Sequence, residues 1–540
     1  MIIGLDFDNT LACYNDIFSS EAKLKGLVGE KWKGSKYDLK QIINCQQGGE
    51  TVWQKLQGQV YGPSMKYATL FPGVARFLLR CKLEGHKIFI VSHKTKYGHF
   101  DKTKTLLRNE SLKWMESQGF FKNNIYGINK KNIFFANTQS EKVLKIKSLN
   151  LDVFVDDLEE IFLHHDFPEI QQILFSSSSS SQSNAQLFNN WADIEKAAIG
   201  EIDKSGIKNL LSSIYGEPID SVEKLKGRGN SRIYKLSFIE KNSILLKEYP
   251  DLLVDSRPRM QTEVSAIKLV EGIGLTPKLL AFNKPHNIAF YEFIEGKSLF
   301  TIKDNHINQA LNFIENLQEI KGNAAWGEAS EACLSATQLM SQIYFRYDRL
   351  LKTKNKDLNE FLVNTFKPLL KKVSKYSQTN WPSNNFENEL PMRKQIFSPS
   401  DFGFHNSILK DNGDIVFLDF EYFGRDDPVK LVADFVWHPG MKLTNSQKTD
   451  WVKGAFNIFK NDPELVKRFS SAWPLYGLRW ALIVLNEFLE DGWHKRAYAN
   501  NNLRFLYKKK LASQLFKAKS ICEKIQVTNM KSPYINDLEE

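Results

Sequence analysis

The first two hundred residues alternate short apolar runs with amphipathic stretches, and no other feature restricts the fold of this chain as much. Residues 2–7 (Ile-Ile-Gly-Leu-Asp-Phe), 87–91 (Lys-Ile-Phe-Ile-Val) and 152–155 (Asp-Val-Phe-Val) read as buried strands, with shorter candidates at 132–135 and 171–175. Residues 73–84 and 140–149 carry helical spacing. Strands that are apolar throughout are covered on both faces, so the pattern predicts a parallel α/β sheet flanked by helices. In such sheets chemistry collects at the carboxyl ends of strands, and Asp6, Ser92 and Asp156 each stand at one. Residues 14–70 are too long for a loop and have helical composition, which predicts a helical lid over the strand ends. A serine run at 176–181 cannot bury a core and is expected to be flexible. Residues 187–199 read as one amphipathic helix closing the domain, with the boundary near 200–212.

The pattern then changes. Residues 219–225, 232–239 and 243–248 read as strands around a Gly227-Arg228-Gly229-Asn230 turn, and 258–272 as a helix. From about residue 300 helical spacing dominates, broken by a β-rich stretch at 395–420. A small sheet-containing lobe followed by a large helical lobe is a bilobal α+β arrangement. The whole chain has 540 residues, 42% of them hydrophobic and 25% charged, as a globular protein of about two to four domains would. The net charge of +11 suits anionic partners such as phosphorylated small molecules and nucleotides, and the lysines are spread rather than blocked. Five scattered cysteines without a CxxC pair predict neither a zinc site nor a disulfide framework and fit a reducing cytoplasm. The start of the chain does not read as a signal peptide, and no apolar stretch is long enough to predict a membrane span.

Asp6-Phe7-Asp8-Asn9-Thr10 follows the first strand, and its spacing has a mechanical reading. Asp6 would attack a phosphorus to form an aspartyl-phosphate, and Asp8 would protonate the leaving oxygen and later deprotonate water. A carboxylate approaches a phosphate dianion only across a cation, so Mg²⁺ is expected, held by the acidic residues Asp6, Asp8, Asp156 and Asp157. Thr10 and Ser92 would bind the phosphate, and a lysine of the 140–149 helix would neutralise it.

This ordered set resembles the haloacid dehalogenase-like (HAD) superfamily over residues 1 to about 200. The resemblance implies a Rossmann-like domain with Asp6 as nucleophile and Asp8 as acid/base. It implies Ser92 and Lys142 as phosphate binders, Asp156 and Asp157 as metal acids, and the insertion as a helical C1 cap. Lys142 is preferred over Lys145 and Lys147 for its offset from the Asp-Asp pair. A second aspartate at position 8 favours phosphate-ester hydrolysis over dehalogenation.

In the second half, the candidates for phosphoryl transfer from ATP occur in the required order. Gly227, Gly229, Asn230 and Ser231 would cover the phosphates, and Lys247 would bind them, paired with Glu263. Residues 290–293, with Glu292 and Phe293, would form the hinge that reads adenine. Asp401 would be the base, and Asn406 and Asp419 would hold Mg²⁺. Asp401-x₄-Asn406, then an apolar strand and Asp419-Phe420-Glu421, resembles the aminoglycoside phosphotransferase and choline kinase-like families, which have a protein-kinase-like fold and phosphorylate small molecules. Pro399 stands where those families usually have a histidine.

The predicted domains are a HAD-like phosphatase at 1–205 (cap 14–70), a linker at 206–214, a kinase domain at 215–525 and a tail at 526–540. The expected function is a bifunctional phosphatase and kinase acting on small hydroxyl compounds, with a sugar or sugar phosphate favoured because the pairing suits glycan-precursor synthesis. An aminoglycoside kinase is the first alternative, although a phosphatase has no obvious use there. A polynucleotide end-processing enzyme usually carries a P-loop, and none is present. A nucleotide-binding pseudokinase with a regulatory role is the non-catalytic alternative.

Overall fold

A computed structural model describes residues 1–98, 104–178, 180–225, 231–252, 255–320, 326–384, 386–489 and 507–535. The chain divides into two compact units, Met1–Ile219 with Lys284–His286, and Asp220–Asn283 with Asn287–Glu540.

In the first unit, β1 (Ile2–Leu5), β2 (Lys87–His93), β3 (Ile133–Ala136), β4 (Val153–Asp156), β5 (Gln171–Phe175) and β6 (Gln186–Phe188) form one parallel sheet. The order is β3-β2-β1-β4-β5-β6, so the winding reverses between β1 and β4. At such a reversal the connections leave in opposite directions and open a crevice at the strand ends. β1 is buried beyond its first residue, which its unbroken apolar sequence requires.

The insertion folds into helices Asn15–Leu24, Lys36–Asn44 and Gly49–Tyr61. A two-residue antiparallel pairing of Ala12–Cys13 with Thr69–Leu70 closes its base. Ser35 starts the second helix with a capping box, its hydroxyl accepting from the Asp38 amide while Asp38 accepts from the Ser35 amide. Phe18 stacks on Trp53 at 5.1 Å, and Tyr14 meets Tyr61 edge-on at 4.9 Å, so aromatic packing holds the insertion together.

Two expectations are corrected here. The segment 187–199 is a strand followed by a helix, because Asn190 caps the Asp193 amide and starts the helix at Trp191. The segment 206–214 is no linker but lies within helix Lys204–Tyr215, capped by Asp203. Its Ile207, Leu210, Leu211 and Ile214 follow helical spacing, and Leu210 is buried. The described residues of the serine run are without regular structure, and Glu159 anchors its end by accepting from the Ser181 hydroxyl at 2.5 Å and the Ser183 amide at 2.8 Å. Helix Trp191–Ile199 closes this unit: Arg80, buried, donates to Glu195 at 3.0 Å and to the Gly200 carbonyl at 2.8 Å.

In the second unit, β7 (Ser221–Leu225), β8 (Arg232–Ser237), β9 (Ile244–Glu248), β10 (Leu279–Asn283) and β11 (Ile288–Glu292) form an antiparallel sheet in the order β10-β11-β9-β8-β7. Helix Arg259–Val270 connects β9 to β10. Helices dominate the rest, with Asp304–Glu319, Ala336–Leu351, Pro428–Trp437 and Leu465–Ile483 sharing one apolar core. Short antiparallel pairings, Ser407–Leu409 with Ile415–Phe417 and Ile396–Ser398 with Gly424–Asp426, fix the loops that carry Asp401 and Asp419. The expected tail at 526–540 is part of this body through its described residues: Ser532 and Ile535 are buried, and Tyr534 meets Trp473 edge-on.

Gly4 is the one glycine in β1, and a Cβ there would overlap the buried side chains of Leu151 and Phe154. Gly4→Val should therefore destabilise the first unit by about 1–3 kcal/mol. Hydrogen exchange of peptides from β1 should show the loss of protection, while peptides from β9 remain unchanged.

Candidate functional site

Two groups of ionisable side chains converge, one in each unit. In the first, the Asp6 amide donates to the Val155 carbonyl at 2.8 Å, which seats Asp6 at the crevice beside the end of β4. The chain then turns back sharply. Asn9 takes φ 59°, a left-handed conformation that asparagine tolerates, and the Leu11 and Ala12 amides both donate to the Phe7 carbonyl. Thr138 caps helix Gln139–Ser148 and sets Lys142 in its first turns, facing inward and buried. Its ammonium lies 2.6 Å from Asp6 Oδ1 and 2.6 Å from Asp156 Oδ2. Asp6, Asp156 and Asp157 bring carboxylate oxygens within 4.8 Å of one another. Thr10 donates to Asp6 Oδ2 at 3.2 Å and is 3.4 Å from Asp157 Oδ1. Leu5 pairs with Ile90, which puts Ser92 at the same sheet end as Asp6, and the buried Ser92 hydroxyl has no partner among the described residues.

Asp8 stands apart from the carboxylate trio. Tyr14 donates to it at 2.5 Å, and the buried Lys94 ammonium lies 2.7 and 2.9 Å from its two oxygens. The expected metal role of the Asp8 side chain is therefore not what this geometry offers, because a cation and a hydroxyl already take its oxygens. His93 bonds the Asn137 carbonyl at 3.0 Å. Sequence reading missed Lys94, Tyr14 and the cap residue Lys36. Lys94 had a signal, two positions beyond Ser92 at a strand end; Tyr14 and Lys36 had none.

The charge balance points to a cation. Burial pushes the Asp6 carboxyl up to about 7, against the pull of Lys142 and with the push of Asp156. Burial also raises Asp156 and Asp157. One ammonium among three carboxylates, Asp6 and Asp156 buried and Asp157 half-buried, leaves more carboxylate than cation, and hard carboxylate oxygens are a donor set that could hold Mg²⁺.

In the second unit, Lys247 on β9 is buried, with its ammonium 2.7 Å from Glu263 Oε2, 2.6 Å from Asp419 Oδ1 and 3.3 Å from Glu421 Oε2. Glu263 also accepts from the Tyr249 hydroxyl at 2.7 Å and the Phe420 amide at 3.3 Å, locking the helix to the Asp419 loop. Asp419 takes φ 67°, and burial raises its carboxyl to about 7 against the opposing charge of Lys247. Glu421 is held by Arg259 and accepts from Ser231 at 3.3 Å. Gly227, Gly229 and Asn230 lie outside the described residues.

Asp401 accepts from His405 Nε2 at 3.0 Å, and Asn406 donates to the Asp401 carbonyl at 3.0 Å and to its Oδ2 at 3.3 Å. The Leu418 amide donates to the Asn406 carbonyl at 2.9 Å, so the Asp401 and Asp419 loops run side by side. Packing raises the Asp401 carboxyl, but the His405 contact and the Asn406 hydrogen bond hold it below the usual carboxylate range. His405 stacks on His438 at 3.7 Å, and Trp480 meets His438 edge-on at 4.7 Å. Pro399 offers no side-chain hydrogen bond, and the imidazole that contacts Asp401 is that of His405, four residues after it, which sequence reading missed. Glu292 and Phe293 are not joined to this cluster: Ile244 pairs with Glu292 while Lys247 pairs with Ala289, three positions along the strand.

No protein-family model and no curated protein matches the chain. Among solved structures it is similar to a choline kinase from Streptococcus pneumoniae, at 14% identity over 59% of this chain and 98% of that one, with a TM-score of 0.39. It is similar to a spectinomycin phosphotransferase solved with ADP and spectinomycin, at 15% identity over 59% and 98%, with a TM-score of 0.41. An ethanolamine kinase from Plasmodium vivax gives 14% identity over 61% and 93%, with a TM-score of 0.39. Likenesses of this size are too distant to assign a family.

Two pH responses follow from the geometry. Asp6 is raised from 3.8 to about 7, so its contribution to stability is present below about pH 4 and is lost as pH rises through 7. Without metal, protection of β1 against hydrogen exchange should be weaker at pH 8 than at pH 5. Mg²⁺ should restore it at pH 8 with little effect at pH 5, and Asp157→Asn should blunt the response. His438 behaves oppositely. Burial, then the charge of His405, lowers it from 6.5 to about 3, so stability is present above pH 6.5 and lost as pH falls toward 3. Protection factors in helix Pro428–Trp437 should decline over that window, and His438→Phe should flatten the decline.

Proposed function

We propose that the chain is a bifunctional enzyme. Its first unit is a Mg²⁺-dependent phosphomonoester hydrolase, and its second is an ATP-dependent kinase of a small hydroxyl compound. The observation that carries the hydrolase reading is the buried Lys142 ammonium between Asp6 and Asp156 at the sheet's reversal point. The kinase reading is supported by Lys247 joining Glu263 to Asp419, beside the Asp401–Asn406 loop.

In the hydrolase, Asp6 is the nucleophile because its carboxylate stands at the strand end with one oxygen facing Lys142 and the other Thr10. Attack forms a bond from an Asp6 oxygen to phosphorus and breaks the bond from phosphorus to the ester oxygen. Asp8 gives its proton to that leaving oxygen, then takes one from water as water cleaves the aspartyl-phosphate. Lys142, Thr10 and the free Ser92 hydroxyl hold the phosphoryl oxygens. Asp6, Asp156 and Asp157 would hold Mg²⁺, which when bound offsets the charge of phosphate against carboxylate.

In the kinase, Asp401 accepts the proton of the acceptor hydroxyl as that oxygen takes the γ-phosphoryl group and ADP departs. The low basicity of Asp401 keeps it ionised and oriented, with His405 and Asn406 fixing its two oxygens. Lys247 binds the α and β phosphates, held in place by Glu263. Asn406 and Asp419 would hold Mg²⁺; Glu263, Asp419 and Glu421 already gather carboxylate oxygens within 4.8 Å, a hard-donor set suited to it. A sugar or sugar phosphate is the substrate class, because adding phosphate at one position and removing it from another serves the activation of a sugar for transfer.

The two activities should separate by mutation. Asp6→Asn should lower hydrolysis of p-nitrophenyl phosphate at least about a thousandfold and spare ADP formation from ATP with a panel of sugars and amino alcohols. Asp401→Asn should do the reverse, with a loss of about a hundredfold or more. Loss of both activities in either folded variant would refute the two-site reading.

A further inference from the structure

Two ammonium groups near Asp6 are left over by the hydrolase reading. Lys36, at the start of helix Lys36–Asn44 in the insertion, donates to Asn9 Oδ1 at 3.0 Å and to the Tyr61 hydroxyl at 3.1 Å. Its ammonium also lies 4.8 Å from the centre of the Phe18 ring and 5.8 Å from that of Tyr61. Among the described residues no carboxylate is within ion-pair distance of it. Its field still reaches the catalytic trio, since it lowers the Asp157 carboxyl that burial raises. The second cation is Lys94, buried, paired with Asp8 and 5.2 Å from the centre of the same Tyr61 ring.

The phosphoryl group that is cleaved needs neither. Lys142, Ser92 and Thr10 already surround Asp6. A half-buried ammonium whose partners are an amide, a phenol and two aromatic faces lacks a counter-charge, and desolvation makes that costly unless an anion completes it. Lys36 comes from the insertion and Lys94 follows β2, their ammonium groups lie 5.8 and 5.2 Å from the Tyr61 ring centre, and their partners Asn9 and Asp8 belong to the turn that follows Asp6.

We propose that Lys36, Lys94 and Tyr61 form a second anion subsite in the first unit, which takes a second phosphate carried by the substrate at a position other than the one hydrolysed. The substrate class is then a bisphosphorylated small molecule. This rests on the hydrolase reading and deepens it. It also sets a reaction order: a kinase that phosphorylates a monophosphate supplies such a bisphosphate, and the hydrolase then removes the other phosphate.

The test uses the full chain with Mg²⁺. The values of kcat/KM are measured for p-nitrophenyl phosphate and for the monophosphates and bisphosphates of propanediol, butanediol and hexanediol, whose flexible chains span different lengths. At one length or more the bisphosphate should exceed its monophosphate about tenfold. Lys36→Ala should cut that ratio about tenfold, mainly through KM, and Lys36→Arg should retain most of it. Equal values for monophosphates and bisphosphates at every length would overturn the subsite. So would a Lys36→Ala variant that loses both alike, which would place Lys36 on the cleaved phosphoryl group or in the fold. Failure to hydrolyse even p-nitrophenyl phosphate would instead refute the hydrolase reading itself.

Discussion

The first unit depends on one buried ammonium. Lys142 lies 2.6 Å from both Asp6 and Asp156, on adjacent strands whose carboxylates would otherwise repel each other in a low-dielectric setting. Removing one partner from such a cluster costs about 3–5 kcal/mol, so the placement of helix Gln139–Ser148 and the approach of β1 to β4 are coupled. The same cluster holds more carboxylate than cation, with oxygens of Asp6, Asp156 and Asp157 within 4.8 Å of one another. Burial, with the neighbouring charge of Asp156, raises Asp6 to about 7 against the pull of Lys142.

The second unit repeats the device with different elements. Lys247, from a strand, gathers Glu263 from a helix and Asp419 from a loop, and Arg259 secures Glu421 behind them. Asp401 is held differently. Asp401 is drawn below the usual carboxylate range by hydrogen-bond donors, whereas Asp419 is raised by burial among other carboxylates. Two aspartates eighteen positions apart thus acquire opposite tendencies from their surroundings alone.

Much of this was legible in the chain. The apolar runs located five strands of the first sheet, because strands covered on both faces leave no polar residues to disguise them. Asp6, Lys142, Asp156 and Asp157 were legible because each follows or faces such a strand at a recognisable offset. The strand at 186–188 and the helix at 204–215 were misread, since short amphipathic segments look alike until a cap such as Asn190 or Asp203 is seen making its hydrogen bond. Lys36, Tyr14 and His405 were missed for a different reason. Their roles come from contacts across long sequence separations or around a loop, and no local periodicity encodes those.

The sequence by itself determined which residues can do chemistry and on which strands and loops they ride, because apolar patterning and motif spacing are local properties. Only the tertiary structure decided the charge each one bears and which partner it holds. Asp6 and Asp8 are two positions apart, yet one is buried against Lys142 and the other is clasped by Lys94 and Tyr14. Desolvation and Coulomb interaction depend on distance and burial in three dimensions, so the difference in surroundings between Asp6 and Asp8 arises from folding.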